Sequence, residues 1–189
     1  PSQNAQKYFT KYNKLKNSVK YLNSQIALAQ QEVDYFETLL AQIDIASPKD
    51  IAEIREELTQ EGYLRVQHKK KQKPKVSQPE KFYATDGTLI EVGKNNLQNE
   101  RLSMKTAAKS DIWLHTKDIP GSHVIIHDNE PTEQTLYEGA MLAAYFSKAR
   151  ESANVPVDYL PVRRLRKPNG SKPGFVIFEG QTTMTVTPE

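Results

Sequence analysis

One feature limits this chain more than any other: apolar residues spaced alternately four and three apart. They are Tyr8, Tyr12, Leu15, Val19, Leu22, Ile26, Ala29, Val33, Phe36, Leu40 and Ile43. An average repeat of 3.5 residues describes a coiled-coil seam, whereas an ordinary surface helix follows 3.6. At about 1.5 Å per residue the run makes a helix of roughly 50 Å. Lys, Gln, Asn and Glu fill most of the positions between, as a solvated outer face requires.

Such a seam needs a cover. A second helix is signalled at "SPKD": Ser47 as N-cap, Pro48 in the first turn and Asp50 at the positive helix end. Ile51, Ile54 and Leu58 give it an apolar side, and Gly62 suits its C-terminus. Three turns cannot cover ten. Two covers remain open: a partner helix preceding residue 1 in a longer protein, or homodimerisation through the seam. The opening "PSQNAQKYF", without a methionine, is what a segment of a longer protein would show.

The overall charge of +3 conceals a gradient. Residues 1–61 carry seven Lys and Arg against nine Asp and Glu, and residues 62–189 carry nineteen against fourteen. The second part is the one expected to attract polyanions. Residues 63–79 form a basic linker with Arg65, Lys69, Lys70, Lys71, Lys73 and Lys75, in which Pro74 and Pro79 forbid a continuous helix. It reads as a solvated tether, as a phosphate contact, or as both.

From residue 80 the texture changes. "FYAT" and "TLIEV" flank Asp86-Gly87, a hairpin signal. "NNLQNERLSMKTAAK" reads as a helix with Leu97, Leu102 and the Met104 to Ala108 stretch inward, "DIWLH" and "HVIIH" as strands. "TEQTLYEGAMLAAYFSKARESA" reads as a helix capped by Thr132, and "VDYLPVRRL", "GFVIFEG" and "TTMTVT" as three further strands. Without a regular βαβ repeat, the expectation is an α+β fold. A long coiled-coil helix and a short second helix span 1–62, a linker spans 63–79, and a mixed or antiparallel sheet with two helices spans 80–189.

Several chemistries are excluded or weak. The absence of cysteine rules out disulfides, thiol catalysis and thiolate zinc sites. No apolar run is long enough to span a membrane as a helix, so membrane insertion is not expected. His115, His123 and His127 with Asp111 suggest a metal, but His123 and His127 stand about 13 Å apart on one strand, too far for one ion. Ser110 or Ser122 with His115 and Asp111 lacks any strained elbow around the serine. No catalytic residue, metal or cofactor is assigned.

Two stretches favour nucleic acid. In "DIWLH", alternation sends Asp111, Trp113 and His115 to one face and Ile112 and Leu114 to the other. The acid-free run from 159 to 178 holds Arg163, Arg164, Arg166, Lys167 and Lys172, and as a strand it would turn Arg164 and Arg166 to one side. Guanidinium groups fork onto phosphates and an exposed Trp stacks on bases, a common RNA platform. A charged edge strand protected against aggregation is the plainer alternative.

"GKNNLQNERLSMKTA", "DIWLH", "PGSHVII" and "RRLRKPNGSKPGFVIF", in that order, strongly resemble the NFACT-R domain of the NFACT family of FbpA/RqcH and NEMF-type proteins. "NAQKYFTKYNKLK" and "IREELTQEGYLR" resemble the coiled-coil segment before it, so the likeness spans essentially the whole chain, with its streptococcal fibronectin-binding members especially similar. The resemblance implies a fragment lacking the N-terminal domain and the outgoing half of an antiparallel coiled coil. It implies a cytoplasmic role in ribosome-associated quality control. Relatives bind the obstructed large ribosomal subunit, recruit tRNA and support alanine tailing, with the ribosome supplying the chemistry. The family's Asp-x-Trp-x-His pattern maps onto Asp111, Trp113 and His115, as an RNA-binding or a structural motif. The alternative it carries is a cell-surface adhesin that binds host fibronectin without an export signal.

Overall fold

The computed structural model describes residues 2–65 and 77–188. Most of the basic linker, including Lys69, Lys70 and Lys71, lies outside the described residues. By compactness the chain divides into Pro1–Glu37 and Thr38–Glu189. The first unit is the greater part of one helix, α1 (Ser2–Ile45). Its seam has no cover among the described residues: Leu15 is 56% and Ile26 65% exposed.

The second unit opens with the end of α1, where Leu39 and Gln42 are buried. Helix α2 (Pro48–Gln60) follows, capped reciprocally by Ser47 and Asp50 as the sequence signals. Gly62, at φ +84°, takes the left-handed conformation that lets the chain leave the helix. The buried face of α2 differs from the expected one. Ile54 is inside, but Ile51 is exposed, and the other buried positions are Asp50, Glu53 and Glu57. This helix packs through carboxylates because its neighbour presents amides.

Beyond the linker come β1 (Glu80–Tyr83), β2 (Leu89–Val92), α3 (Asn96–Arg101), a π-helical turn (Leu102–Thr106), β3 (Ile112–Thr116) and β4 (Val124–Ile126). Then follow α4 (Glu133–Tyr145), β5 (Val155–Pro161), a 3-10 turn (Val162–Arg164) and β6 (Thr182–Val186). The strands make one sheet in the order β1-β2-β4-β3-β5-β6, antiparallel throughout. The fold is α+β.

Helix α4 covers one sheet face. Ala140, Ala143 and Ala144 pack with Ile90, Val92, Ile112, Leu114, Val124, Ile126 and Val157. Gly139 sits where a Cβ would come within 2.8 Å of Ile126 Cδ1, so the helix approaches the sheet closely. Thr132 caps α4 through the amide of Thr135. The helix ends at Tyr145, short of the expected Ala153. There the backbone turns to the β3–β4 loop: Ser122 N donates to Phe146 O, and Lys148 N to Pro120 O. Non-local pairing outcompetes the local helical pattern.

Candidate nucleic-acid interface

In β3, Trp113 and His115 share a face, with Asp111 just before the strand, and Ile112 and Leu114 take the α4 side. That shared face is not open. Trp113 is 1% exposed and joins a second core with Leu102, Ile125, Leu160, Val162 and Leu165, edged by Val176 and Phe178. Its ring stacks on His115 at 5.6 Å, meets His123 edge-on at 5.2 Å and tilts against Phe178 at 4.9 Å. The expectation that Trp113 stacks on bases is therefore corrected: both ring faces are occupied by the protein. Aromatic contacts hold the indole, since its Nε1 has no hydrogen-bond partner among the described residues.

The neighbouring polar groups organise the same layer. Asp111 Oδ2 accepts from Ala108 N and lies 2.9 Å from His127 Nδ1, while His127 Nε2 lies 2.9 Å from Glu91 Oε2. This carboxylate–imidazole–carboxylate bridge ties β2, the residue before β3 and the residue after β4 together. His123 Nδ1 is 2.8 Å from Ser103 Oγ. The π-helical turn, closed by Ala107 N on Leu102 O, lets successive residues Leu102 and Ser103 both face the sheet. Among the described residues, no group of three or more His, Asp and Glu has a geometry that could hold a metal ion.

Burial pushes the imidazoles of His115 and His123 below their ordinary value; His115 is partly held up by backbone hydrogen bonds and Asp158, while at His123 the neighbouring His115 adds to the lowering. Both are therefore harder to protonate in the folded protein than in the unfolded chain, where they titrate near pH 6.5. Below that pH the unfolded chain binds more protons, so stability falls as pH drops. The melting temperature should be lower at pH 5.5 than at pH 7.5. His123→Asn, whose amide can meet Ser103, should flatten that slope. Equal slopes in the two proteins would remove His123 from the account.

The arginine segment is not the strand expected. β5 stops at Pro161, and Val162 N and Arg163 N turn back to the carbonyls of Asp111 and Lys109, each at 2.9 Å. A 3-10 turn brings residues three apart onto one side, so Val162 and Leu165 both enter the Trp113 core. Arg163 and Arg164 are thereby turned to solvent on a helical turn. Arg166 is also exposed and pairs with Ile177 through a single bridge, which is all that forms of the expected "GFVIFEG" strand.

The five cations of this run separate into two kinds. Lys167 is engaged by Glu100, and Lys172 by Glu61 at 2.6 Å with its ammonium 4.7 Å from the Tyr63 ring centre. These pairs fasten the "KPNGSKPG" loop to α3 and to the end of α2. Arg164 donates to the carbonyl of Gly180. The side chains of Arg163 and Arg166 have no partner among the described residues. Exposed Lys109, which sequence reasoning passed over, lies beside Arg163 through the backbone bond. The result is a basic edge over the Trp113 core.

Residues 79–182 match the model described as the NFACT protein RNA binding domain, and residues 1–77 match the NFACT N-terminal and middle domains. The chain belongs to the NFACT family. All of it aligns with the Rqc2 homolog RqcH of Bacillus subtilis at 57% identity, and with the proteins so named of Streptococcus suis at 51% and Streptococcus pneumoniae at 48%. It spans 34% of the length of each. Among solved structures, the C-terminal region of the fibronectin/fibrinogen-binding protein of Streptococcus suis superposes with a TM-score of 0.93 at 49% identity. That match covers this whole chain and 77% of the other. In this NFACT chain the Asp-x-Trp-x-His motif lies under the basic edge instead of on the surface.

Proposed function

We propose that this chain is the RNA-contacting part of a cytoplasmic ribosome-associated quality-control factor that engages the stalled large subunit and tRNA in support of alanine tailing. Its part is binding, with peptidyl transfer left to the ribosome. The observation that carries the reading is the exposed group Lys109, Arg163, Arg164 and Arg166 on a fold of the NFACT RNA-binding kind. Phosphate contacts of this sort release counterions, so affinity falls steeply with salt. Arg163→Glu/Arg166→Glu should weaken binding to tRNA and to large subunits at least tenfold. It should also lower the salt slope by about two, one for each phosphate no longer neutralised. Binding that ignores both salt and the double substitution sinks the reading.

A second reading rests on the solved neighbour, which is named for binding fibronectin and fibrinogen. It predicts saturable fibronectin binding by this chain at physiological salt, unaffected by the same double substitution. Surface plasmon resonance with both ligands separates the two.

A further inference from the structure

If Trp113 has no free face, an RNA platform needs another aromatic, and the segment that covers Trp113 carries one. Arg166 and Ile177 exchange both backbone bonds, at 2.9 and 2.8 Å. A close pair of this kind projects its side chains to the same side. Along residues 175–178 the side chains alternate. Val176 and Phe178 turn inward onto the Trp113 core, while Phe175 and Ile177 stay 45% and 47% exposed. Phe175, Ile177 and Arg166 therefore form one outward patch, and exposed Arg163, bonded through its backbone to Lys109, stands three residues before Arg166 in the chain.

The patch is held from several sides. Gly174, at φ +77°, lies against Asn96, where a Cβ would come within 3.1 Å of Asn96 Oδ1. Phe175 N donates to Lys172 O, and Lys172 is fastened to Glu61. Beneath, Phe178 rests on Trp113. An exposed aromatic on an anchored backbone, beside guanidinium groups without a partner among the described residues, matches neither plain solvation nor a purely electrostatic duplex contact. Residues 159–178 carry no acid, and exposed Glu179 closes the patch at its far end.

We propose that Phe175 is a stacking platform for an unpaired RNA base, with Arg166 and Arg163 taking the flanking phosphates and Ile177 covering the base edge. The proposal rests on the RNA-binding reading above and assigns it a single-stranded ligand class. Inside an RNA duplex both faces of every base are already stacked, whereas stacking of an unpaired base on an aromatic contributes about 1–3 kcal/mol, or roughly 5- to 150-fold in affinity.

The test uses fluorescence anisotropy of the protein with an eight-nucleotide single-stranded RNA and with a blunt duplex, at fixed salt. Phe175→Ala should weaken single-strand binding about tenfold, change duplex binding less than twofold, and leave the salt slope intact. Phe175→Trp should restore affinity, and Phe175→Leu should not. Equal loss on both RNAs, or no loss on either while Arg163→Glu/Arg166→Glu remains defective, overturns the platform and leaves the general reading standing. The latter result would make Phe175 and Ile177 a protein-contact face. Absence of salt-sensitive binding by the unsubstituted protein overturns both. Because Phe175 is half-exposed, an unchanged melting temperature confirms that the variants fold.

Discussion

Trp113→Ala is expected to cost about 3–5 kcal/mol of stability, the range for deleting a large aromatic from a packed core. For a protein of this size that lowers the melting temperature by roughly 6–20 °C. The loss has three sources. The indole is fully buried, its ring is in contact with those of His115, His123 and Phe178, and it fills the space between the sheet and three irregular segments. Trp113→Phe should cost much less, about 1–2 kcal/mol, because it keeps an aromatic face and removes an Nε1 that has no acceptor. Differential scanning calorimetry gives both values. The comparison also decides how the motif acts. If Trp113 works through the core, RNA affinity measured well below the melting point should fall only as far as the Phe178–Phe175 segment loosens. A Trp113→Ala protein that melts like the parent yet loses RNA would instead make the ring a direct contact.

The alternation in "DIWLH" was legible, and it placed Trp113 and His115 on the correct shared face. The cover on that face was not legible. Leu102 comes from a π-helical turn, Val162 and Leu165 from a 3-10 turn, and Val176 and Phe178 from a segment held by one bridge. None of these has a period long enough to announce a buried stripe, so the polar-aromatic face looked free. The same short turn explains the arginine run. Read with period two, Val162 and Leu165 split between faces. Read with period three, they agree, and Arg163 and Arg164 go outward. Phe175 was hidden by the strand-like texture of "GFVIF", in which exposed and buried aromatics are two of five similar letters. The hairpin at Asp86-Gly87 and the caps at Ser47 and Thr132 were legible because a local hydrogen bond or a glycine conformation determines each.

"NNLQNER" carried a signal that apolar periodicity cannot detect. On α2, Asp50, Glu53 and Glu57 are spaced three and four apart, so they form one acidic stripe. Across from it stand the amides of α3 and its cap. Asn95 Nδ2 donates to Glu53 at 2.7 Å, Asn96 Nδ2 to Glu57 at 3.0 Å, and Asn96 Oδ1 accepts from Gln42 at 2.8 Å. Gln98 is the hub. Its Nε2 lies 2.9 Å from Asp50 Oδ1, 3.2 Å from Glu53 Oε2 and 2.7 Å from Ser77 Oγ, and its Oε1 accepts from Lys94 N. Burial works to raise the Asp50 carboxyl. Hydrogen bonds from Ser47 and Gln98, with the Lys94 ammonium at 3.3 Å, outweigh it and hold the group below its ordinary value. Asp50 therefore stabilises the fold above the ordinary carboxylate range and loses that contribution as pH falls through it, well below the window in which His123 acts.

Gln98→Leu removes the donor shared by two buried carboxylates and should cost about 3 kcal/mol, since the acceptors remain buried without their partner. The damage should be local first, with amide exchange in α2 accelerating more than in β3 or β4. Gln98→Glu keeps the shape but sets a third carboxylate beside Asp50 and Glu53, and should be the more destabilising of the two at pH 7. Its folded-state pKa would be raised by that repulsion, so the folded protein would bind the extra proton more readily than the unfolded chain. Relative to Gln98→Leu, its stability should therefore recover as pH is lowered from 7 toward 5. Urea unfolding across that range checks the sign. If Gln98→Glu gains nothing on acidification, or if α2 exchanges no faster in Gln98→Leu, the amide–carboxylate lock is not what holds α2 to the sheet region.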